Sequence, residues 1–294
     1  MKKTTAIFAL FLAAFTWGSA FCVLKDTLEN VSPIWLLAFR FLLAGIIMTL
    51  VCIPRMKKMS IRTLKRGIIM CIVLYFEFLF FTVGLQYTTS SKSSFIIGSY
   101  VAILPLIYWV IRGKKPQRAD ILAALVCIVG LGFILLGSFE GVNKGDLISL
   151  LSAVCYAIHI VVTGIFAREE DGFLLNMLQI GTGGILGLVA AMILEPHPAA
   201  MSGMNIGSIA YLAVFCTVVP YLLSVFGQKY VKTSTSGVIL SFESVFGCIL
   251  SILILGECPG VRFVIGAMLM MCSFLIVEKI SLPLPKRVAV KAEK

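Results

Sequence analysis

The sequence predicts an all-α integral membrane protein of ten transmembrane helices, arranged as two inverted five-helix repeats. Three observations carry that expectation. Of 294 residues, 60% are apolar and only 13% charged, with a mean hydropathy of +1.03; a soluble globular chain carries about 45–50% apolar and about 25% charged residues. The apolar residues gather in ten runs, each long enough to cross a hydrocarbon layer about 30 Å thick. The basic residues fall almost wholly on one side of those runs. The same composition excludes a disordered chain and a disulfide scaffold.

The runs cover residues 4–24, 34–53, 67–87, 94–111, 119–137, 147–167, 173–194, 206–226, 237–255 and 262–279. Lys2 and Lys3 precede the first, and Gly18-Ser19-Ala20 resembles a signal cleavage site. It is read as a span, because removing it would leave an odd number and break the repeat. Pro105 in the fourth run and Pro220 in the eighth each free a backbone carbonyl at depth. Such a break is tolerated where protein or a wet cavity satisfies the carbonyl, so both are candidate helix breaks with a gating role. Gly181, Gly184 and Gly187 in the seventh run favour close helix packing. The nine cysteines stand singly, with no CxxC and no Cys/His cluster; they read as small packing residues, and no metal site is expected.

Orientation follows from the loops. With the N-terminus in the cytoplasm, 20 basic residues lie inside and four outside (Lys25, Lys92, Lys144 and Arg262), and Arg40 is left within a span. Both termini are therefore expected in the cytoplasm of a multi-pass protein of the bacterial cytoplasmic membrane. The net charge of +11 marks the inner surface and does not signal a nucleic-acid partner.

The two halves resemble one another. Gly84-Leu85-Gln86-Tyr87 recurs as Gly227-Gln228-Lys229-Tyr230, while Trp17-Gly18 falls opposite Tyr156-Ala157 and Arg40 opposite Gln179. Five spans per copy force the second copy to cross the membrane upside down. The loop after span two carries six basic residues and its counterpart, Pro196-His197-Pro198, none. The expected division is a first repeat over 1–140, a second over 141–280 and a basic cytoplasmic tail over 281–294. Inverted repeats with interrupted helices describe secondary transporters with a midplane site.

Several segments carry a closer likeness: Trp17-Gly18, Arg40-Phe41-Leu42, the stretch from Gly84 to Phe95 with Pro105, then Gln228-Lys229-Tyr230, Ser241-Phe242-Glu243-Ser244-Val245-Phe246 and Leu255-Gly256-Glu257. Over residues 5–280 the chain resembles the EamA-type branch of the drug/metabolite transporter superfamily. The resemblance implies a ten-helix carrier, in many members an exporter of amino acids and other small metabolites. The family pattern has Glu-Pro where this chain has Glu243-Ser244, so the kink there is expected to be weak or absent.

Ionisable groups inside a span are costly and are functional candidates. Here they are Arg40, Glu77, His159 and Glu243. At about 1.5 Å per residue, depth matches Arg40 with Glu77 and His159 with Glu243. An Arg40–Glu77 pair is either a buried ion pair that fixes packing or a binding site, in which the Arg40 fork meets a substrate carboxylate and Glu77 serves as a proton site or as the partner that releases Arg40. Glu243 has no basic partner of fixed charge at its depth. It forms with His159 a candidate proton relay; the alternative is a neutral carboxyl hydrogen-bonded to a broken helix. Trp17, Tyr100, Tyr156 and Tyr221 lie within spans and either pack or line a cavity, where their rings suit an ammonium group. Lys92 and Glu257 sit at helix ends, where snorkelling to the interface is the expected role.

No GxxxxGK[ST], HExxH or GxSxG is present and there are two histidines, His159 and His197. The expected function is a secondary-active carrier of small metabolites such as amino acids, an exporter working by alternating access. The alternatives are a multi-helix receptor and an integral-membrane enzyme without a recognisable catalytic motif. The expected partners are a small-molecule substrate and the lipid bilayer, with protons as candidate coupling ion; the chain is a monomer or homodimer, and no cofactor is implied.

Overall fold

The computed structural model describes residues 2–113, 115–136, 141–198, 201–231 and 233–281, all helix and connecting turns with no strand among them. The helices are α1 (Lys2–Thr27), α2 (Pro33–Cys52), α3 (Ile61–Gln86), α4 (Ser90–Gly98), α5 (Tyr100–Arg112), α6 (Arg118–Leu136), α7 (Lys144–Phe166), α8 (Gly172–Leu194), α9 (Gly203–Ala213), α10 (Val219–Tyr230), α11 (Thr233–Leu255) and α12 (Val261–Ser281). A 3₁₀ stretch, Ile53–Lys58, extends α2, and a π-helical turn, Val214–Val218, joins α9 to α10. Eight helical stretches are long and apolar enough to cross a membrane, with two shorter apolar stretches at Ile239–Leu255 and Val261–Ile276. The outer surface is built of Val110, Ile193, Leu253 and Val261, all more than 70% exposed. A surface that apolar is solvated by hydrocarbon, and hydrocarbon requires every backbone group to be satisfied within a helix. The chain is a multi-pass membrane protein.

Local signals set the ends. Ser60 and Thr63 form a reciprocal cap that starts α3 at Ile61, six residues ahead of the expected run. Arg62, Lys65 and Arg66 thus belong to its first turns. Asn143 and Asp146 cap α7 in the same way. In the fourth span the break falls at Ser99, between α4 and α5; the helix continues through Pro105. In the eighth, Pro220 lies just after the π turn, in the first turn of α10. α11 runs unbroken through Glu243 and Ser244, as the missing proline predicts.

Packing pairs helices across the two halves of the chain. α2 lies on α8, α6 on α12, α1 on α11 and α10, α3 on α7 and α8, and α4 on α11 and α7. Glycines bring the closest pairs together. A Cβ on Gly45 would stand 2.7 Å from the Gly181 Cα, and one on Gly184 the same distance from the Leu42 nitrogen. Gly130 and Gly266 meet in the same way between α6 and α12. Ser94 and Ser244 each donate a hydroxyl to the other's carbonyl, at 3.2 and 2.9 Å, and so tie α4 to α11.

Lys92 and Glu257 do not snorkel, contrary to expectation. Lys92 is buried in the first turn of α4, where its Nζ meets Asp146 Oδ2 at 2.8 Å. The Glu257 carboxylate accepts from the backbone nitrogens of Ser90 and Ser91 at 2.7 and 2.9 Å and caps α4. α4 is buried along its whole length, so a side chain on it has no path to the interface. Glu195 caps α2 in parallel fashion, accepting from the nitrogens of Ile34 and Trp35. Of the expected tail, residues 282–294 lie outside the described residues.

Candidate functional site

Arg40, Glu77 and Glu243, from α2, α3 and α11, meet on one cavity inside the bundle. Its wall is completed by Trp17, Ala20 and Phe21 of α1, Phe78 and Phe81 of α3, Ile97 of α4, Ser152 and Tyr156 of α7 and Tyr221 of α10. The cavity is small, about 40 Å³, enough for a few waters. Its charged groups are one guanidinium and two carboxyls, all less than 10% exposed.

Arg40 is held by the backbone defect of the eighth span. Pro220 has no N–H, so the carbonyl four residues earlier, that of Cys216, lacks its helical donor. Arg40 Nη2 donates to that carbonyl at 2.9 Å, and Nε donates to Thr217 Oγ1 at 2.9 Å. The guanidinium carbon stands 4.8 Å from the centre of the Phe78 ring. Nη1 has no partner among the described residues. Arg40 therefore enters the cavity wall with two of its three nitrogens fixed and one unengaged.

His159 lies behind Glu77 rather than beside Glu243. Its Nδ1 is 3.7 Å from Glu77 Oε2, and its Nε2 is 2.8 Å from Gln179 Oε1. The pairings expected from depth are thus replaced: Arg40 sits on the Cys216–Thr217 turn, and His159 on Glu77. Depth along an axis gives height and not azimuth, and azimuth decides which helix a side chain meets. Trp17 packs edge-on against Tyr221 with ring centres 5.6 Å apart. Tyr100 lies outside the cavity wall, with its ring centre 4.3 Å from that of Tyr156. Pro105 is not in the wall either, and Pro220 acts on the site through the carbonyl it leaves free. Nothing in the pattern of the chain singled out Thr217, Phe78, Ser152, Gln179 or Asn176; only the Cys216-to-Pro220 spacing could have pointed to the seat of Arg40.

An apolar helix bundle around a small cavity with buried charges is a multi-pass membrane protein with an internal polar site. The profile of the EamA-like transporter family matches residues 4–136 and again 143–278, and the chain belongs to that family. It is a transporter rather than an enzyme. Among similar proteins, one from Archaeoglobus fulgidus named an uncharacterized transporter is 30% identical over 95% of this chain and 87% of its own. An S-adenosylmethionine/S-adenosylhomocysteine transporter of Chlamydia muridarum is 27% identical, over 93% of this chain and 92% of its own. One crystal structure superposes with a TM-score of 0.70 at 14% identity, covering 95% of this chain and 98% of the other, which bears on the fold alone.

Proposed function

We propose that the protein is a secondary carrier that exports a small amino-acid-like metabolite across the cytoplasmic membrane by alternating access, with protons as coupling ion. The observation that carries this reading is the wall of the cavity. Arg40 offers an unengaged Nη1, which suits a substrate carboxylate. Glu77, Glu243 and the faces of Trp17, Tyr156 and Tyr221 suit an ammonium or sulfonium group. The substrates named for the Chlamydia muridarum relative both carry an α-amino-acid end, which fits the same arrangement. Room for a few waters means that a larger substrate enters only as the bundle opens. His159, with the Glu77 carboxyl that it faces, is proposed for coupling, and Glu243 is proposed to meet the cationic group of the substrate.

Two inverted repeats are part of the proposal. The family profile's two successive matches support it, and so does the packing. Span one (α1) lies on spans nine and eight, and span six (α7) lies on spans four and three; α2 with α8 and α6 with α12 are self-partners. An inverted pair of five-helix units requires that exchange. The basic loops support a cytoplasmic position for both termini.

A thermal-shift panel of amino acids, S-adenosylmethionine, nucleobases and cations tests the substrate class, because a ligand that binds only the folded state stabilises it. The compounds that shift the transition are then assayed for flux in proteoliposomes. We expect zwitterionic amino-acid-like compounds to bind and cross. A panel in which none binds, with vesicles that stay impermeable, would overturn the reading.

A further inference from the structure

Glu77 Oε2 and His159 Nδ1 are both buried, and both lack a hydrogen-bond partner among the described residues. They face one another across α3 and α7 at 3.7 Å. Orphaned buried polar atoms are costly, so two of them in opposition raise the question of what satisfies both.

The bonds around the imidazole answer it. Gln179 Nε2 donates to Asn176 Oδ1 at 2.7 Å, which turns Gln179 Oε1 toward His159 Nε2. An amide oxygen can only accept, so Nε2 carries a proton. The Nδ1 of the neutral ring then presents a bare lone pair to a carboxylate oxygen, which when ionised also only accepts. One further proton turns these two opposed acceptors into a donor and an acceptor, and a second would set two donors against each other.

We infer that Glu77 and His159 together hold one exchangeable proton across α3 and α7, and that this proton is the one exchanged for substrate. The second half of the inference rests on the carrier reading above. The proton is taken from water and returned to water, and it sits as Glu77 Oε2–H against Nδ1 or as Nδ1–H against the carboxylate. Glu77 lines the cavity and His159 does not, so the pair joins the cavity to the polar side chains behind it. Thr163 Oγ1, one turn further along α7, is 3.3 Å from His159 Nε2. A substrate ammonium at Glu77 favours the bare carboxylate and expels the proton, so cation and proton compete for one site, as antiport requires.

The other charged and titratable groups around Glu77 are Arg40 from α2, Tyr100 from α5, Cys155 and Tyr156 from α7, Tyr221 from α10 and Glu243 from α11. Arg40 keeps its charge throughout, and tyrosine and cysteine hydrogens ionise in water at about pH 10 and about pH 8.5. Glu243 is the group whose titration has to be separated from that of the pair. From α8, His159 meets the uncharged Gln179, which in turn donates to the uncharged Asn176.

Two histidines in the chain make the test direct. Ring-¹⁵N-histidine is introduced into the full protein in lipid nanodiscs, with His197→Asn leaving the His159 signals alone. We expect an Nε2-protonated ring whose Nδ1 signal changes in one pH-dependent step. That step is lost in Glu77→Gln, moved in Glu77→Asp and kept in Glu243→Gln. An Nδ1-protonated neutral ring, a step that survives Glu77→Gln, or a step that vanishes in Glu243→Gln overturns the shared proton. Coupling is read separately in proteoliposomes, with radiolabelled S-adenosylmethionine and a labelled amino-acid mixture as probes. The ratio of gradient-driven uptake to exchange at equal pH is expected to fall about fivefold or more in His159→Gln, and an unchanged ratio overturns the coupling. If no probe crosses with the natural sequence the carrier reading fails, whereas the ring signals still decide the proton site.

Discussion

Arg40 is held by two bonds that need the geometry of a guanidinium: Nε to Thr217 Oγ1 and Nη2 to the Cys216 carbonyl. A lysine keeps the charge but offers a point of donors on a flexible stem. It cannot hold both partners and still present a group to the cavity. Arg40→Lys is therefore expected to weaken binding of a carboxylate-bearing substrate by about 1.5–3 kcal/mol, the worth of a hydrogen bond to a charged group. Ligand titration of the purified variant measures this, and a natural affinity in Arg40→Lys would leave Arg40 a packing residue. Glu243→Gln is expected to preserve the fold, because the amide is isosteric, and to impair uptake of ammonium-bearing substrates. Equal flux and equal pH dependence in that variant would remove Glu243 from the site. The candidates themselves were legible in the sequence because a charge at span depth stands out against its neighbours. Their partners were not, because the seat of Arg40 is a backbone carbonyl and that of His159 an amide on another helix.

The half-helix α4 repeats that lesson among the elements. Its first turn is a run of serines with one lysine, which reads from the chain as the polar end of a span. Tertiary packing overrides that reading: α11 and α7 cover it, Glu257 caps its two leading nitrogens and Asp146 neutralises Lys92. A buried ion pair adds little net stability, but the loss of one partner strands the other charge. Asp146→Ala is thus expected to destabilise the protein by about 3–5 kcal/mol, read as a lowered thermal midpoint in detergent. Replacing Lys92 with Met as well should recover only the part due to charge, because Asp146 also accepts from the Thr88 hydroxyl and from the Asn143 nitrogen in the cap of α7. A single variant as stable as the natural chain would show that Lys92 reaches the interface after all. The glycine stripe on α8 was the more legible element, since small residues one turn apart have few uses other than close approach. Gly184 and Gly187 do meet α2, at Leu42 and Ala38, while Gly181 supplies the surface that Gly45 meets.

Over the whole molecule, polar contacts tie the first half of the chain to the second at each end of the bundle. At the end that carries the basic loops, Arg55 pairs with Asp171 at 2.9 Å, Arg66 with Glu169 and Glu170 at 2.7 and 2.9 Å, and Arg62 with Glu169. These contacts join the 3₁₀ stretch after α2 and the start of α3 to the turn between α7 and α8. At the opposite end, Glu195 and Glu257 of the second half cap α2 and α4 of the first, and Lys92 pairs with Asp146. In the alternating-access cycle proposed above one end opens at a time, so one of these sets would release while the other holds. The ionic set is the one that conditions can reach. The hydrogen bond from Arg66, joined by the charges of Arg66 and Arg62, holds the Glu169 carboxyl below the ordinary carboxylate range. A carboxyl lowered in the folded state stabilises that state above its unfolded-state value, and the contribution is lost as pH falls through the folded-state value. Thermal midpoints measured from neutral to acid pH should therefore decline more steeply in the natural chain than in Glu169→Gln, which begins less stable and changes less. Added salt should narrow the gap between the two at neutral pH, because the pairs involving Arg62 and Glu169 are exposed and screened. Parallel curves for the two proteins would mean that Glu169 spans the two halves without holding them together, and the closure at this end would then rest on Glu170 and Asp171.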